Sequence, residues 1–89
     1  MVMYLIGYEG RGERPYDRLQ EAIDQRGGVH LIDNLWALEC DSDAASLRDW
    51  VHDMMDDDDA IIVMQLKNGN HWASRHLKTS VNDWLKTHI

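Results

Sequence analysis

The two most strand-like segments of this 89-residue chain are apolar on both of their faces. In Val2–Tyr8 and in Ala60–Leu66, odd and even positions alike are mostly apolar. An antiparallel sheet with one face in water normally alternates apolar and polar residues. We therefore expect both faces of the sheet to be covered. Helices would cover one face, and a C-terminal helix or a second subunit would cover the other.

Helical and strand-like segments follow one another in a defined order. A first helix is predicted to begin at Pro15 and to end at Gly27, because proline suits a first helical turn and glycine a C-terminal cap. Two short strands flank Asp33 and Asn34, which both tolerate the positive φ of a tight hairpin. A second helix, a further strand and a C-terminal helix follow. The order βαββαβ plus a helix predicts an α+β, ferredoxin-like sandwich that forms a single domain over residues 1–89.

The composition narrows the classes of function. The formal net charge is −7, which disfavours general binding to nucleic acid because phosphate affinity depends on Lys and Arg. Cys40 is the only cysteine, so the chain has no internal disulfide, and a reducing compartment fits. The apolar N-terminal stretch is too short for a membrane span. We expect a cytoplasmic protein with no membrane partner.

Two groups of basic residues still allow local phosphate contacts. Arg11 and Arg14 lie in a glycine-rich connection after the first strand, and Arg75 lies close to Trp72, an aromatic residue able to stack on a base. These three arginines are the predicted nucleic-acid-binding residues. The simpler interpretations are a flexible connection for the glycine-rich loop, and for Trp72 a side chain that fills the sheet edge or a dimer interface.

Glu9 is the candidate catalytic and metal-ligating residue. It directly follows the first strand, and a carboxylate there could bind Mg²⁺ or Mn²⁺ and activate water for phosphodiester attack. The alternative is a solvated residue that begins a loop. The run Asp56–Asp59 lacks the alternate ligand spacing of a calcium loop and is interpreted as a solvated charge run. No other cofactor is predicted.

Four short motifs together resemble a known family. They are the opening YLIGYEG, the hairpin with LWAL, the acidic DDDDAIIVMQL, and HWASRHL leading into VNDWLK. The chain resembles the SinR-like proteins, which are related to the small CRISPR-associated adaptation subunit and to the VapD-type ribonucleases. The resemblance implies a ferredoxin-like fold and a symmetric homodimer that packs sheet against sheet. In some relatives it also implies metal-dependent cleavage of RNA or DNA by a strand-end aspartate, at the position of Glu9.

Three functions follow as hypotheses. The first is a SinR-like dimeric module that binds protein or nucleic acid without robust catalysis. The second is a metal-dependent endonuclease or endoribonuclease with Glu9 as ligand, although a glutamate is one methylene longer than the aspartate of the relatives. The third is an acidic inhibitor or regulator of a basic protein partner.

Overall fold

A computed structural model of the chain describes residues 2–10, 16–67, 69 and 71–89. The predicted helix start at Pro15 lies outside the described residues, as do the predicted phosphate contacts of Arg11 and Arg14. In the described ranges, no helix is long and apolar enough to cross a membrane.

Seven elements follow one another along the chain. They are β1 (Val2–Glu9), α1 (Asp17–Gln25), β2 (Val29–Ile32), β3 (Leu35–Cys40), α2 (Ala44–His52), β4 (Ala60–Leu66) and α3 (Thr79–His88). The strands form one antiparallel sheet in the order β2-β3-β1-β4. The predicted α+β class is confirmed, and this sheet fits the ferredoxin-like class.

The main core lies between one face of the sheet and the helices α1 and α2. Each helix buries one apolar stripe, with Leu19 and Ile23 from α1 and Leu47 and Val51 from α2 at most 1% exposed. These side chains pack against alternate residues of the two central strands, which are Tyr4, Ile6, Tyr8, Trp36, Leu38 and Cys40. The indole N–H of Trp36 is the one buried side-chain polar group of the described residues without a hydrogen-bond partner.

The second face of the sheet is covered only in part. Helix α3 buries Val81 and Leu85, and on this face Ala37 is fully buried. Three large side chains remain about half exposed: Ile32 at 53%, Ile62 at 55% and Met64 at 50%. The C-terminal helix therefore covers part of this face, which was one of the two coverings expected from the sequence. An apolar strip beside the helix stays open to solvent.

Short-range contacts fix the ends of the elements. The Asp43 carboxylate accepts a hydrogen bond from the Ser46 backbone N–H at 2.7 Å, so Asp43 is the N-cap of α2. This bond lowers the pKa of Asp43 below its ordinary value. Gly27 has φ 87° and ends α1, as predicted. In the hairpin turn, Asn34 has the left-handed conformation, with φ 58°, and Asp33 does not. Only one of these two turn residues therefore adopts a positive φ.

The conformation of Asn34 gives a test of the hairpin. We expect Asn34→Val to lower the free energy of unfolding by about 1–2 kcal/mol, because a β-branched side chain is strained in the left-handed region. Asn34→Gly should stay within about 0.5 kcal/mol of the original chain. Urea denaturation followed by circular dichroism measures both. Equal stability of the valine and glycine variants would contradict the assigned turn.

Candidate functional site

A shallow, mostly apolar groove lies where β1 ends. It has a volume of about 450 Å³ and is lined by residues from the ends of β1 and β2, the hairpin turn and the start of β4. Glu9 and Asp33 bring carboxylates to this lining, and Ile32 and Ile62 bring exposed apolar side chains. The structure thus places the predicted site residue Glu9, which is exposed, beside the open strip of the sheet face.

The sheet register brings a second carboxylate close to Glu9. Glu9 pairs with Ala60 across β1 and β4, so Asp59 lies directly before the partner position. Asp59 is held in a turn, because its carboxylate accepts the backbone N–H of Asp56 at 3.0 Å. The aspartate run is therefore not a uniformly solvated segment. Part of it is folded against the end of the first strand.

Tyr16 marks the centre of this acidic region. Partial burial raises the pKa of Tyr16 above its ordinary value, and the negative charges of Asp59, Asp56 and Glu9 and the neighbouring Tyr8 raise it further. The Tyr8 and Tyr16 rings lie 5.0 Å apart at an angle of 60°. Among the described residues, three carboxylates act on this phenol, and such a concentration of negative charge attracts cations.

The described residues of the chain do not form a metal site on their own. No group of three or more His, Cys, Asp or Glu residues in this part of the chain is placed to hold a metal ion. Glu9 and Asp33 line the same groove, and two carboxylates would leave most of the coordination of Mg²⁺ or Mn²⁺ to water or to a second subunit. The carboxylate chemistry suits these ions, but the set of ligands in one subunit is small.

Arg75 lies far from Glu9 along the chain and is not part of the groove that Glu9 lines. It lies in the segment between β4 and α3 with Trp72, which is 36% exposed, and with the exposed Lys78. Residues 60–89 contain four Lys or Arg residues and one acidic residue. The first 59 residues contain five Lys or Arg residues and 15 acidic residues. The chain therefore divides into a strongly acidic part, which includes α1 and α2, and a basic part, which includes α3.

The histidines make separate local contacts. His30 stacks on Trp36 with ring centroids 4.4 Å apart, and His88 stacks on Trp84 at 4.2 Å. His52 lies 3.1 Å from an Asp57 carboxylate oxygen. These three contacts are on different elements.

Tyr16 and Asp59 are the neighbours of Glu9 that the sequence interpretation missed. The available signal was the antiparallel pairing of β1 with β4, which joins the end of the first strand to the start of the last. For Tyr16 the signal was Gly10, because a Cβ placed there would overlap the Tyr16 hydroxyl oxygen. Glycine at this position leaves the space that the phenol occupies.

Comparison with known protein families, with curated proteins and with solved structures finds no match to this chain.

The close approach of Gly10 to Tyr16 gives a test of the acidic region. Gly10→Ala should displace the phenol and move the pKa of Tyr16 back towards 10.0, the ordinary value. In the original chain, the raised pKa of Tyr16 contributes to the stability of the fold. This contribution is fully present below pH 10.0 and is lost as the pH rises through the pKa of Tyr16 in the folded state.

Nuclear magnetic resonance of the tyrosine rings across alkaline pH measures this titration. Tyr16→Phe removes the Tyr16 signal and so assigns it. An unchanged Tyr16 titration in Gly10→Ala would show that the phenol does not lie where it is placed.

Proposed function

We propose that this chain is a SinR-like, ferredoxin-fold module of the cytoplasm that forms a homodimer through its sheet face and binds protein or nucleic acid without robust catalysis. One observation carries the proposal. Ile32, Ile62 and Met64, called the sheet patch below, are each at least half exposed on one side of the sheet. Large exposed apolar side chains that cluster together are typical of association surfaces.

The register explains why the sheet patch is open. Ile62 lies opposite Gly7, which has no side chain to cover it, and a Cβ on Gly7 would come within 3.1 Å of the Ile62 side chain. Met64 lies two residues further along the same face of β4, and Ile32 lines the same groove as Ile62. A second copy of this surface offers the same flat apolar shape, and a two-fold dimer places like patches together.

A metal-dependent nuclease is the second candidate, and one observation favours it. Glu9 lines the same groove as Ile62, so a two-fold dimer through the sheet patch would bring two Glu9 carboxylates towards one seam. Paired carboxylates are suitable ligands for Mg²⁺ or Mn²⁺. Asp59 and Asp56 strengthen the attraction for a cation, but they also oppose a polyanionic substrate.

The third candidate is an acidic regulator of a basic protein. It is favoured by the 15 acidic residues among the first 59, several of them on the exposed sides of α1 and α2. For a nucleic acid, Arg75 and Trp72 on the basic part of the chain are the described groups best suited to contact it. The two kinds of partner would therefore use different sides of the molecule.

The dimer is tested at the sheet patch. We expect the chain to sediment as a dimer and the double variant Ile62→Lys, Met64→Lys to sediment as a monomer, because the dimer would bury two unpaired ammonium groups in each subunit. The matched control is Gln65→Lys, on the same strand and exposed. Its odd position puts it on the opposite face of β4, and it should leave the dimer intact.

Analytical ultracentrifugation over a range of concentrations measures the assembly, and circular dichroism checks that each variant is folded. A monomeric original chain, or a dimer that persists in the folded double variant, would refute the sheet-patch dimer.

Glu9 separates the first two candidates. The proposed module should not cleave single- or double-stranded RNA or DNA to any extent that depends on Mg²⁺ or Mn²⁺. The nuclease alternative requires cleavage that is abolished by chelation and falls at least about 100-fold in Glu9→Gln, since a neutral amide cannot replace a metal-binding carboxylate. Gel assays with both proteins, with metal or EDTA, measure this. Metal-dependent cleavage lost in Glu9→Gln would overturn the non-catalytic proposal.

A further inference from the structure

A second cavity lies between the sheet and the C-terminal layer, on the basic side of the molecule. It has a volume of about 360 Å³, within the range of about 300–1,000 Å³ that small-molecule sites occupy. Its walls are almost entirely apolar. The sheet contributes Leu5, Leu35, Leu66 and also Ile32 of the sheet patch, and the C-terminal layer contributes Leu77, Leu85 and Ile89.

The segment before α3 forms the rim of this cavity. Trp72 and Ser74 are part of the lining, and Trp72 remains 36% exposed. The Ser74 hydroxyl donates a hydrogen bond to the Asn82 side-chain oxygen at 2.6 Å, which ties the segment to the first turns of α3. His76 has φ 63°, a left-handed conformation that redirects the chain between Ser74 and Leu77. The hydrogen bond of Ser74 and the turn at His76 thus lie on either side of Arg75 and fix the course of the segment there.

The rim carries positive charge in a chain that is otherwise acidic. Arg75 directly follows the lining residue Ser74, Lys78 directly follows the lining residue Leu77, and both are exposed. In residues 60–89 the only acidic residue is Asp83. An uncharged apolar ligand would gain nothing from these cations, whereas a ligand with one anionic group would reach them while its apolar part fills the cavity.

We propose that this cavity binds a small amphiphilic anion, with an acyl chain between the sheet and α3 and a carboxylate at Arg75 and Lys78. Aliphatic walls suit an acyl chain, because each buried methylene contributes favourable transfer free energy without requiring a polar partner. Glu9, Tyr16 and Asp59 are not part of this lining, but Ile32 and Leu35 line both this cavity and the groove beside Glu9, so the site adjoins the sheet patch. It adds a ligand to the proposed module.

Decanoate is the probe, with decanol as its uncharged match and octanoate as its shorter match. We expect one decanoate to bind per chain, measured by titration calorimetry below the concentration at which it forms micelles. Decanol should bind about fivefold more weakly than decanoate, because it lacks the carboxylate that contacts the exposed Arg75 and Lys78. Octanoate should bind roughly tenfold more weakly, because two methylenes are missing. Amide chemical shifts should change at Leu35, Leu77 and Leu85.

Variants separate the cavity from its rim. Ala73→Leu places extra volume in the lining and should abolish binding of both ligands. The double variant Arg75→Gln, Lys78→Gln should weaken decanoate about fivefold and leave decanol unchanged. Its control is Arg18→Gln, Arg48→Gln, which changes the net charge by the same amount on α1 and α2, on the other face of the sheet. This control should leave the decanoate affinity within about twofold of the original, because salt screens exposed charges that do not contact the ligand.

The same titration is made with the Ile62→Lys, Met64→Lys variant, so that failure of the dimer and failure of this site are distinguishable. Unchanged binding in that variant supports the cavity. Shifts confined to Ile62 and Met64, equal affinity for decanol and decanoate, unfolding by decanoate, or no saturable binding would each overturn the proposal. Loss of binding in the Ile62, Met64 variant would also overturn it, because the ligand would then occupy the sheet patch and not the cavity.

Discussion

The central position of β1 is the constraint on which the other elements depend. This strand is hydrogen-bonded to β3 on one side and to β4 on the other. Its alternate residues Tyr4, Ile6 and Tyr8 enter the core beneath α1 and α2, while Leu5 faces the C-terminal layer. Because both faces of one strand are covered, a run of apolar residues is required there in place of an apolar-polar alternation. The end of the same strand also fixes where Glu9 lies.

The sequence pattern was sufficient for the α+β class of the fold and for the order of the elements. Gly27 also ends α1 where its chemistry predicted. The position of the hairpin was predicted correctly, but its backbone conformation was not. The tolerance of Asp33 for positive φ is a preference that the rest of the turn can override. Local preferences of this kind fix the place of a turn better than its conformation.

The site was less predictable because it is assembled by pairing between distant strands. Glu9 was identified from its place at a strand end, but its neighbours Asp59 and Tyr16 depend on register and on the space beside Gly10. The apolar cavity requires residues from β1, β3, β4 and α3 together, and no local spacing indicates it. The division of charge was visible in the sequence. The fold gives this division a spatial meaning, because α3 and the segment before it cover the opposite face of the sheet from α1 and α2.

Cys40 is buried at the end of β3, opposite Val2 in the register, and is 5% exposed. It is also the only thiol of the chain. A thiol in this position reacts with a disulfide reagent only when the core around it opens locally, since the thiolate must reach the reagent sulfur that it attacks. The labelling rate of Cys40 therefore reports how often the core opens at the end of β3. For the same reason, a disulfide-linked pair of chains that forms in air would record that opening and not the association of folded subunits.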